Sequence, residues 1–491
     1  MTVTLGLDLG TSALKGLIIG EHQAVLAEAE APLSLSRPQP GWGEQQPEDW
    51  WQATLTVAAA LKAHNPAAWA DVAAIGLSGQ MHGAVLLDRR GSAVRPAILW
   101  TDARAAAEAE ELNRMLPQIG AIAGVPAMAS FVAPKLLWLA RHEPETFAAF
   151  ATLLLPKDYL RFKLTGNYAT DMCDAAGSLL LDERSRTWSP AILESLRLDP
   201  GKLPRLYEGS EITGQLTASA AELLGLKSGL PVAAGAGDAA AGAIGLGAVN
   251  DGDAIISLGT SSQYFITTAS YRPAPADLIH AFAHGLSDRW FQMAALLNGA
   301  SVLTWVAGVL GRNDIGELLS EAEAAFAGPS NLLFLPYLMG ERTPHNDPQA
   351  RGMLYGLSPA TSATEIVQAV LEGVALSLAD AQACLRHAGS DPAAISVTGG
   401  GSRSAFWMRL LAAILDKPLQ IRDGAEKGPA FGAARLARMA LTGETAAQVC
   451  TPAPLRFTIA PDPALAAAYA GRLTRFRAAY QALKPVMRDG V

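Results

Sequence analysis

The chain opens on two apolar runs, 3–9 and 13–19, separated only by Gly10-Thr11-Ser12. Two apolar runs joined by a tight glycine turn predict a β-hairpin. VAAIGLSG (72–79) and GAVLLD (83–88) read as further strands. From Trp50 to Ala63 apolar positions recur at helical spacing, behind Glu48 and Asp49, acids that favour a helix start. ILWTDARAAAEAEELNRML (98–116) runs from a strand into a helix expected to open near Asp102.

The second half repeats this order. DAIISLGTSSQYFITT (253–268) is again strand, glycine turn, strand, and AISVTGGGSRSAFWMRLLAAIL (394–415) is strand, glycine turn, apolar helix. Strands alternating with helices predict an α/β layered fold. Leu-Gly-Thr-Ser occurs at 9–12 and again at 258–261, so the layering is expected to be duplicated, with a cleft between the halves. The expected boundary lies in the glycine- and alanine-rich stretch 245–253, giving domains 1–247 and 248–491. Residues 336–352 are too rich in turn formers for regular structure and predict an ordered loop, and the tail from Pro461 predicts a closing helix.

Length supports the two-domain expectation, because 491 residues are many for one core. Apolar residues make up 50% of the chain and charged ones 17%, a composition that excludes disorder. The net charge of -8 comes with no basic cluster, which speaks against nucleic acid and against an anionic membrane as partners. Three widely spaced cysteines, Cys173, Cys384 and Cys450, fit a reducing cytoplasm better than a disulfide framework. The start has no basic segment and Asp8 interrupts its apolar run, so no secretory leader is expected. PVAAGAGDAAAGAIGLGAV (231–249) is apolar but carries Asp238 at its centre, and predicts a buried strand–loop–helix rather than a membrane span.

The repeated turn carries the candidate chemistry. Backbone N–H groups around Gly10-Thr11-Ser12 or Gly259-Thr260-Ser261 can form a concave nest for phosphate oxygens, helped by the hydroxyls. Lys15 could supply counter-charge, and Asp8 would tolerate a phosphate only across a Mg2+ ion. One such turn is as well explained by an ordinary hairpin; two copies half a chain apart favour a two-jawed phosphate clamp. Neither a Walker A sequence nor a G-x-G-x-x-G after the first strand is present. Gly399-Gly400-Gly401 offers bare backbone between a strand and a helix. Asp238 stands at an expected helix start, where it is either an N-cap or a base facing a cleft. Met81 and His82 lie on a glycine-rich turn where neither is expected to pack well, which favours ligand contact.

These motifs together resemble the FGGY carbohydrate kinases of the actin/hexokinase/Hsp70 superfamily, whose fold is ribonuclease H-like, and the likeness runs from Leu5 to about Ala470. DLGTSALK is similar to the family's first phosphate motif, ISLGTSS to its second and VTGGGSRSAFW to its adenosine motif. Gly352-Met353-Leu354-Tyr355-Gly356-Leu357, followed by Glu365-Ile366 and Ala369–Glu372, fits the C-terminal signature. SFVAPKLLWLARHE keeps Pro134, Lys135 and Trp138 of the N-terminal one, with Val132 where Ser, Thr or Pro is usual.

The resemblance implies ATP as co-substrate, Mg2+ held near Asp8, Asp238 as the base, and Met81 and His82 as contacts to a ketopentose. It implies phosphate contacts from Gly10, Thr11, Ser12, Lys15, Gly259, Thr260 and Ser261, adenosine contacts from Gly400, Gly401 and Ser404, and a homodimer. SGQMHG, RPAILWTDAR, LLPKDYLRFKLTG, DMCDAAGS and GERTPHNDPQARG are similar to stretches of the members that phosphorylate xylulose at C5. Two positions depart from that pattern: Ala239 replaces an Asn that helps hold the sugar, and Thr101 replaces an Asn before Asp102. Ala239 keeps ribulose, L-xylulose and polyols open as substrates. A nucleotide-dependent scaffold would need a partner-binding domain, and a catalytically dead sensor would not need Asp8 and Asp238.

Overall fold

The computed structural model describes residues 2–424 and 427–488. Each half is built on a seven-stranded sheet. The first holds β1 (Val3–Leu9), β2 (Ala13–Ile19), β3 (Val25–Pro32), β4 (Val72–Gly79), β5 (Ile212–Gln215), β6 (Pro231–Ala233) and β7 (Ala236–Gly237). β1, β2 and β3 form an antiparallel meander, and β4 joins the other side of β1 in parallel. The second sheet holds β8 (Ala254–Leu258), β9 (Ser262–Thr268), β10 (His280–Ala283), β11 (Trp290–Leu296), β12 (Ile395–Thr398), β13 (Leu419–Arg422) and β14 (Leu455–Ile459). There β8, β9 and β11 repeat the meander and β12 lies parallel to β8. The duplicated layout foreseen from the two Leu-Gly-Thr-Ser turns is the observed one.

Register brings the chemistry to one edge. Leu9 of β1 pairs with Gly79 of β4, and Gly79 pairs with Gly237 of β7. The first glycine turn, Gln80–His82 and Asp238 therefore leave the sheet together, at the carboxyl ends of parallel strands, where open α/β sheets bind ligands. Ser257 pairs with Thr398 in the second sheet, which brings the second turn and Gly399–Gly401 side by side.

Helices cover both sheets. α1 (Pro47–His64) packs on β2 and β3, so the spacing read from Trp50 to Ala63 lies inside it. α2 (Val132–His142), α3 (Pro156–Thr165) and α4 (Met172–Ala176) wall the carboxyl end of β4. α5 (Asp238–Leu246) starts where β7 ends. In the second half α6 (Ser301–Val309), α7 (Ala363–His387) and α8 (Ala405–Leu415) share one apolar core with β8 and β9. By length and composition α7 could cross a membrane, but 89% of its most apolar stretch is buried inside the protein. α9 (Gly428–Thr442) crosses back to the first sheet, while α10 (Pro463–Tyr469) and α11 (Arg472–Arg488) end the described chain.

The crossing of α9 is close. A Cβ on Gly6 of β1 would lie 1.9 Å from the Ala430 carbonyl, and one on Gly432 would lie 1.8 Å from the Ala241 carbonyl of α5. Only bare backbone admits these contacts. Thr4 donates to the Ala434 carbonyl at 3.0 Å and Arg435 to the Ile244 carbonyl at 2.8 Å, which fixes the crossing in register.

Three local expectations shift. The helix foreseen near Asp102 begins at Ala106, because the Asp102 carboxylate accepts instead from the Gly43 amide (2.7 Å) and from Arg104 (2.9 Å). The expected closing helix is two helices, broken where Gly471 takes φ +80°, and its last three residues lie outside the described ones. The apolar stretch 231–249 is β6, β7 and α5. Cys173, Cys384 and Cys450 are free and buried.

Candidate active site

The first turn is held from three sides. Gly10 donates to the Ala13 carbonyl at 3.0 Å and closes it. The Thr11 hydroxyl donates to Gln80 Oε1 and accepts from Trp100 Nε1, both at 2.9 Å, while Gln45 holds the Thr11 carbonyl at 2.8 Å. The Thr11 hydroxyl is thus spent on positioning, and Ser12 stands exposed beyond it. The second turn is braced differently. Ala300 donates to the Gly259 carbonyl and Ser301 to the Thr260 carbonyl, both at 2.6 Å, and Thr260 and Ser261 stay exposed.

Asp8, next to the last residue of β1, has one carboxylate oxygen, Oδ1, buried and without a hydrogen-bond partner among the described residues. Burial raises its pKa to about 6, with Ser78 and Lys15 drawing it partway back. Lys15 pairs across the hairpin with Asp8, so both side chains share a face. Its side chain is 61% exposed, and its amine lies 3.9 Å from Glu30. A lone hard oxygen of this kind fits Mg2+, directly or through water. The other grouping of acids with metal-like spacing, Asp158, Asp171 and Asp174, is filled by a cation already. Lys157 Nζ lies 2.6, 2.5 and 3.1 Å from these three carboxylates, all fully buried.

Asp238 is the first residue of α5 and Gly237 is its N-cap, so the aspartate is not the cap; its Oδ1 accepts from the Ala239 amide at 2.8 Å. Burial first, then the Asp8 charge, push it up to about 7. A carboxyl poised there suits proton transfer near neutrality.

Met81 and His82 pack well, contrary to the sequence expectation. Met81 is 5% exposed, and His82 takes φ +67° with its ring edge-on to Phe131 at 4.6 Å. Long-range partners supply what the turn lacks. Lys135 reaches out of α2 to the His82 carbonyl at 2.7 Å, and His82 Nδ1 lies 2.7 Å from the Gly177 carbonyl after α4. Burial holds the imidazole well below its usual pKa, hence neutral. A neutral ring that donates from Nδ1 leaves Nε2 as a bare acceptor.

Gly399 and Gly401 lie against the end of β8. A Cβ on either would come within 2.6 Å of Leu258, and Gly399 takes φ +88°. Gly400 has nothing within 4 Å of where its Cβ would be, and is exposed. The Ser404 hydroxyl caps α8 by accepting from Trp407 N at 3.2 Å.

Two cavities meet at Asp238. One of about 150 Å³ is lined by Thr11, Met81, His82, Trp100, Ser261 and Arg342. The other, of about 230 Å³, passes Gly242, Ser257, Thr398 and Gly428. Asp238, Ala239 and Gln263 form the shared wall. The first is smaller than the roughly 300–1,000 Å³ that drug-sized ligands occupy, and the few polar side chains set in its mostly apolar lining, His82, Asp238, Gln263 and Arg342, suit a short polyol. The second opens beside Thr398, next to the three glycines.

Sequence profiles match both halves of the chain. That of the FGGY family of carbohydrate kinases, N-terminal domain, matches residues 3–245, and that of the C-terminal domain matches 254–441. The chain belongs to the FGGY family of carbohydrate kinases. Among FGGY relatives, a xylulose kinase of Escherichia coli K12 is 44% identical over 484 residues, 98% of this chain and 99% of the relative. A crystal structure of a xyloylose kinase from Brucella ovis superposes with a TM-score of 0.95 at 43% identity, covering 99% of this chain and 100% of that one. A gluconate kinase from Lactobacillus acidophilus superposes at 0.93 with 27% identity, covering 98% of both chains. The FGGY fold is therefore common to members with different acceptors, and the acceptor must be argued from the site.

Four residues that now line or brace this FGGY site had no role in the sequence: Gln80, Trp100, His280 and Arg342. Gln80, Trp100 and Arg342 sit inside stretches quoted above for their resemblance. His280 lies in no glycine turn or motif, and only the folding of β10 over the cavity reveals it.

Proposed function

We propose that the chain transfers the γ-phosphoryl group of ATP to the C5 hydroxyl of D-xylulose, giving D-xylulose 5-phosphate and ADP. The observation that carries this is the pair of cavities with Asp238 on their common wall. A ketose in the smaller one meets His82 Nε2 and Met81 at one end and Asp238 at the other. ATP in the larger one rests its adenosine near Gly400, Gly401 and Ser404. Gly10, Thr11, Ser12 and Lys15 hold its phosphates from one side, and Gly259, Thr260 and Ser261 from the other. Asp238 takes the C5–OH proton as the new O–P bond forms and the bond to the β-phosphate oxygen breaks. Mg2+ near Asp8 would neutralise phosphate charge. Little covalent help is needed, because phosphoryl transfer runs on placement and electrostatics. General-base assistance is worth about 10²–10⁴ in rate.

Identity of 42–44% with xylulose kinases of Escherichia coli and Klebsiella pneumoniae over 98% of the chain supports D-xylulose as the acceptor. Ala239, which lines both cavities with a methyl group, favours testing a second pentulose beside it. The division at 247/248, a cytoplasmic location and a homodimer complete this reading; the free, buried cysteines support the second of these. The experiment is ADP release with Mg-ATP and D-xylulose, L-xylulose, D-ribulose, L-ribulose, glycerol or no sugar, with Asp238→Asn as control. Strong D-xylulose dependence that the substitution abolishes is expected. Equal rates with and without every sugar would refute a sugar kinase.

A further inference from the structure

We propose that Arg342, which the second half contributes, is a sugar-binding residue that grips the C1–C2 end of the ketose, opposite the hydroxyl given to Asp238. This inference rests on the ketose-kinase reading above and adds a specificity residue to it.

Arg342 lines the smaller cavity with His82 and Trp100 from the first half and His280 from its own half. Its guanidinium forms no ion pair and no hydrogen bond among the described residues; its recorded contact is with the Trp100 ring, 5.5 Å from the centroid. Glu341, its neighbour in the chain, is turned away and accepts from the Leu297 amide (2.7 Å) and the Arg342 amide (2.8 Å). Burial pulls Arg342 below the usual arginine range. A largely desolvated guanidinium that the Glu341 charge steadies but no carboxylate contacts among the described residues is costly to keep, and its planar fork of five donors calls for oxygen acceptors.

The mounting is rigid. The Thr343 amide donates to the Ala295 carbonyl at 3.1 Å and its hydroxyl to the Leu278 carbonyl at 3.2 Å. Tyr480 of α11 donates to Asp347 Oδ2 at 2.7 Å, which pins the far end of the same loop. Across the cavity His280 is 2% exposed, and its Nδ1 has no partner among the described residues.

The end of the sugar follows from which charges face which. Arg342 bears on His82 and His280, whereas Asp238 feels Asp8 beside the first phosphate turn. A ketose with C5–OH at Asp238 lays its C1 hydroxyl and C2 carbonyl, both acceptors, against Arg342. The first half alone therefore cannot complete the sugar site.

Calorimetric titration of D-xylulose without nucleotide, and of ADP without sugar, into the wild type, Arg342→Gln and Arg342→Lys tests this. Arg342→Gln should weaken D-xylulose roughly 10–100-fold, the range for hydrogen bonds from a charged group, with ADP affinity within about twofold. Arg342→Lys, which keeps the charge and loses the fork, should fall between. Unchanged D-xylulose affinity in either variant, or a loss confined to ADP, overturns the inference. If Arg342→Gln loses both ligands through misfolding, Arg342→Lys decides: weakened sugar with intact ADP supports, unchanged sugar refutes. Wild-type protein that binds no D-xylulose overturns the ketose-kinase reading, and this inference with it, before any variant is made.

Discussion

The Lys135 ammonium donates to the His82 carbonyl at 2.7 Å and spends its other protons on the carbonyls of Ser130 (2.6 Å) and Leu99 (2.8 Å). It is fully buried and forms no ion pair among the described residues; burial pulls its pKa down to about 7, with the Asp102 charge drawing it partway back. Three backbone oxygens thus take the place of a counter-ion, and one of them belongs to the residue whose left-handed backbone presents its ring to the smaller cavity.

Lys135→Met should therefore act on both folding and sugar binding. Each stranded carbonyl costs about 1–3 kcal/mol, so a drop of several degrees in Tm is expected. The KM for the pentulose should rise more than tenfold while that for ATP moves less than twofold. Equal changes in both KM values would mean that the lysine does not position His82.

As the proposed base, Asp238 can take a proton only when ionised. With Asp238 near 7 and Asp8 near 6, the two titrate as an interacting pair. kcat/KM for the pentulose should fall about tenfold per pH unit below roughly 7 and more steeply below roughly 6. Asp238→Asn should lose about 10²–10⁴ in kcat at every pH. A flat profile from pH 5 to 8 would contradict the assignment.

The same carboxyl makes a stability prediction of opposite sense. Its pKa rises from 3.8 unfolded to about 7 folded, so between those values the folded chain binds the extra proton. Its contribution is full below pH 3.8 and is lost as pH rises through 7. Asparagine cannot ionise, so Asp238→Asn should melt at higher temperature than the wild type at pH 8. By pH 5 that difference should narrow to less than half, and it should close only below pH 3.8. Thermal scans at the two pH values check this, and a gap that is the same at both would refute it.

The glycines beside Leu258 separate packing from binding. Gly401→Ala forces a methyl to within 2.5 Å of the Leu258 side chain, an overpacking that costs about 1–3 kcal/mol. Gly400→Ala meets nothing within 4 Å and should leave Tm unchanged. If Gly400 presents its backbone to adenosine, that silent methyl should still weaken ADP severalfold. Titration with ADP reads the difference directly.

Local features were legible in the sequence because their causes are local. Both hairpins, α1 and the strand–glycine–helix at 394–415 follow from apolar runs and turn residues within one window. The helix start near Asp102 was misplaced because Gly43, far upstream, takes that carboxylate. Met81 and His82 were expected to be loose, since nothing in GLSGQMHG announces Phe131, Lys135 or Gly177 as neighbours. Arg342 belongs to a legible motif, yet its orientation depends on anchoring to Ala295 and Tyr480. The glycine turns are legible as the proposed phosphate clamp; the far end of the proposed sugar site, assembled from both halves, has no signature.

The path of α9 also sets an order of events during synthesis. The first sheet reaches its last strand at Gly237, but the helix that covers β1 and β4 begins at Gly428. At about 5–20 residues per second, the ribosome leaves that face bare for roughly 10–40 s. A nascent first half is therefore an unfinished object, with an apolar, glycine-lined groove open to chaperones until nearly the whole chain has emerged.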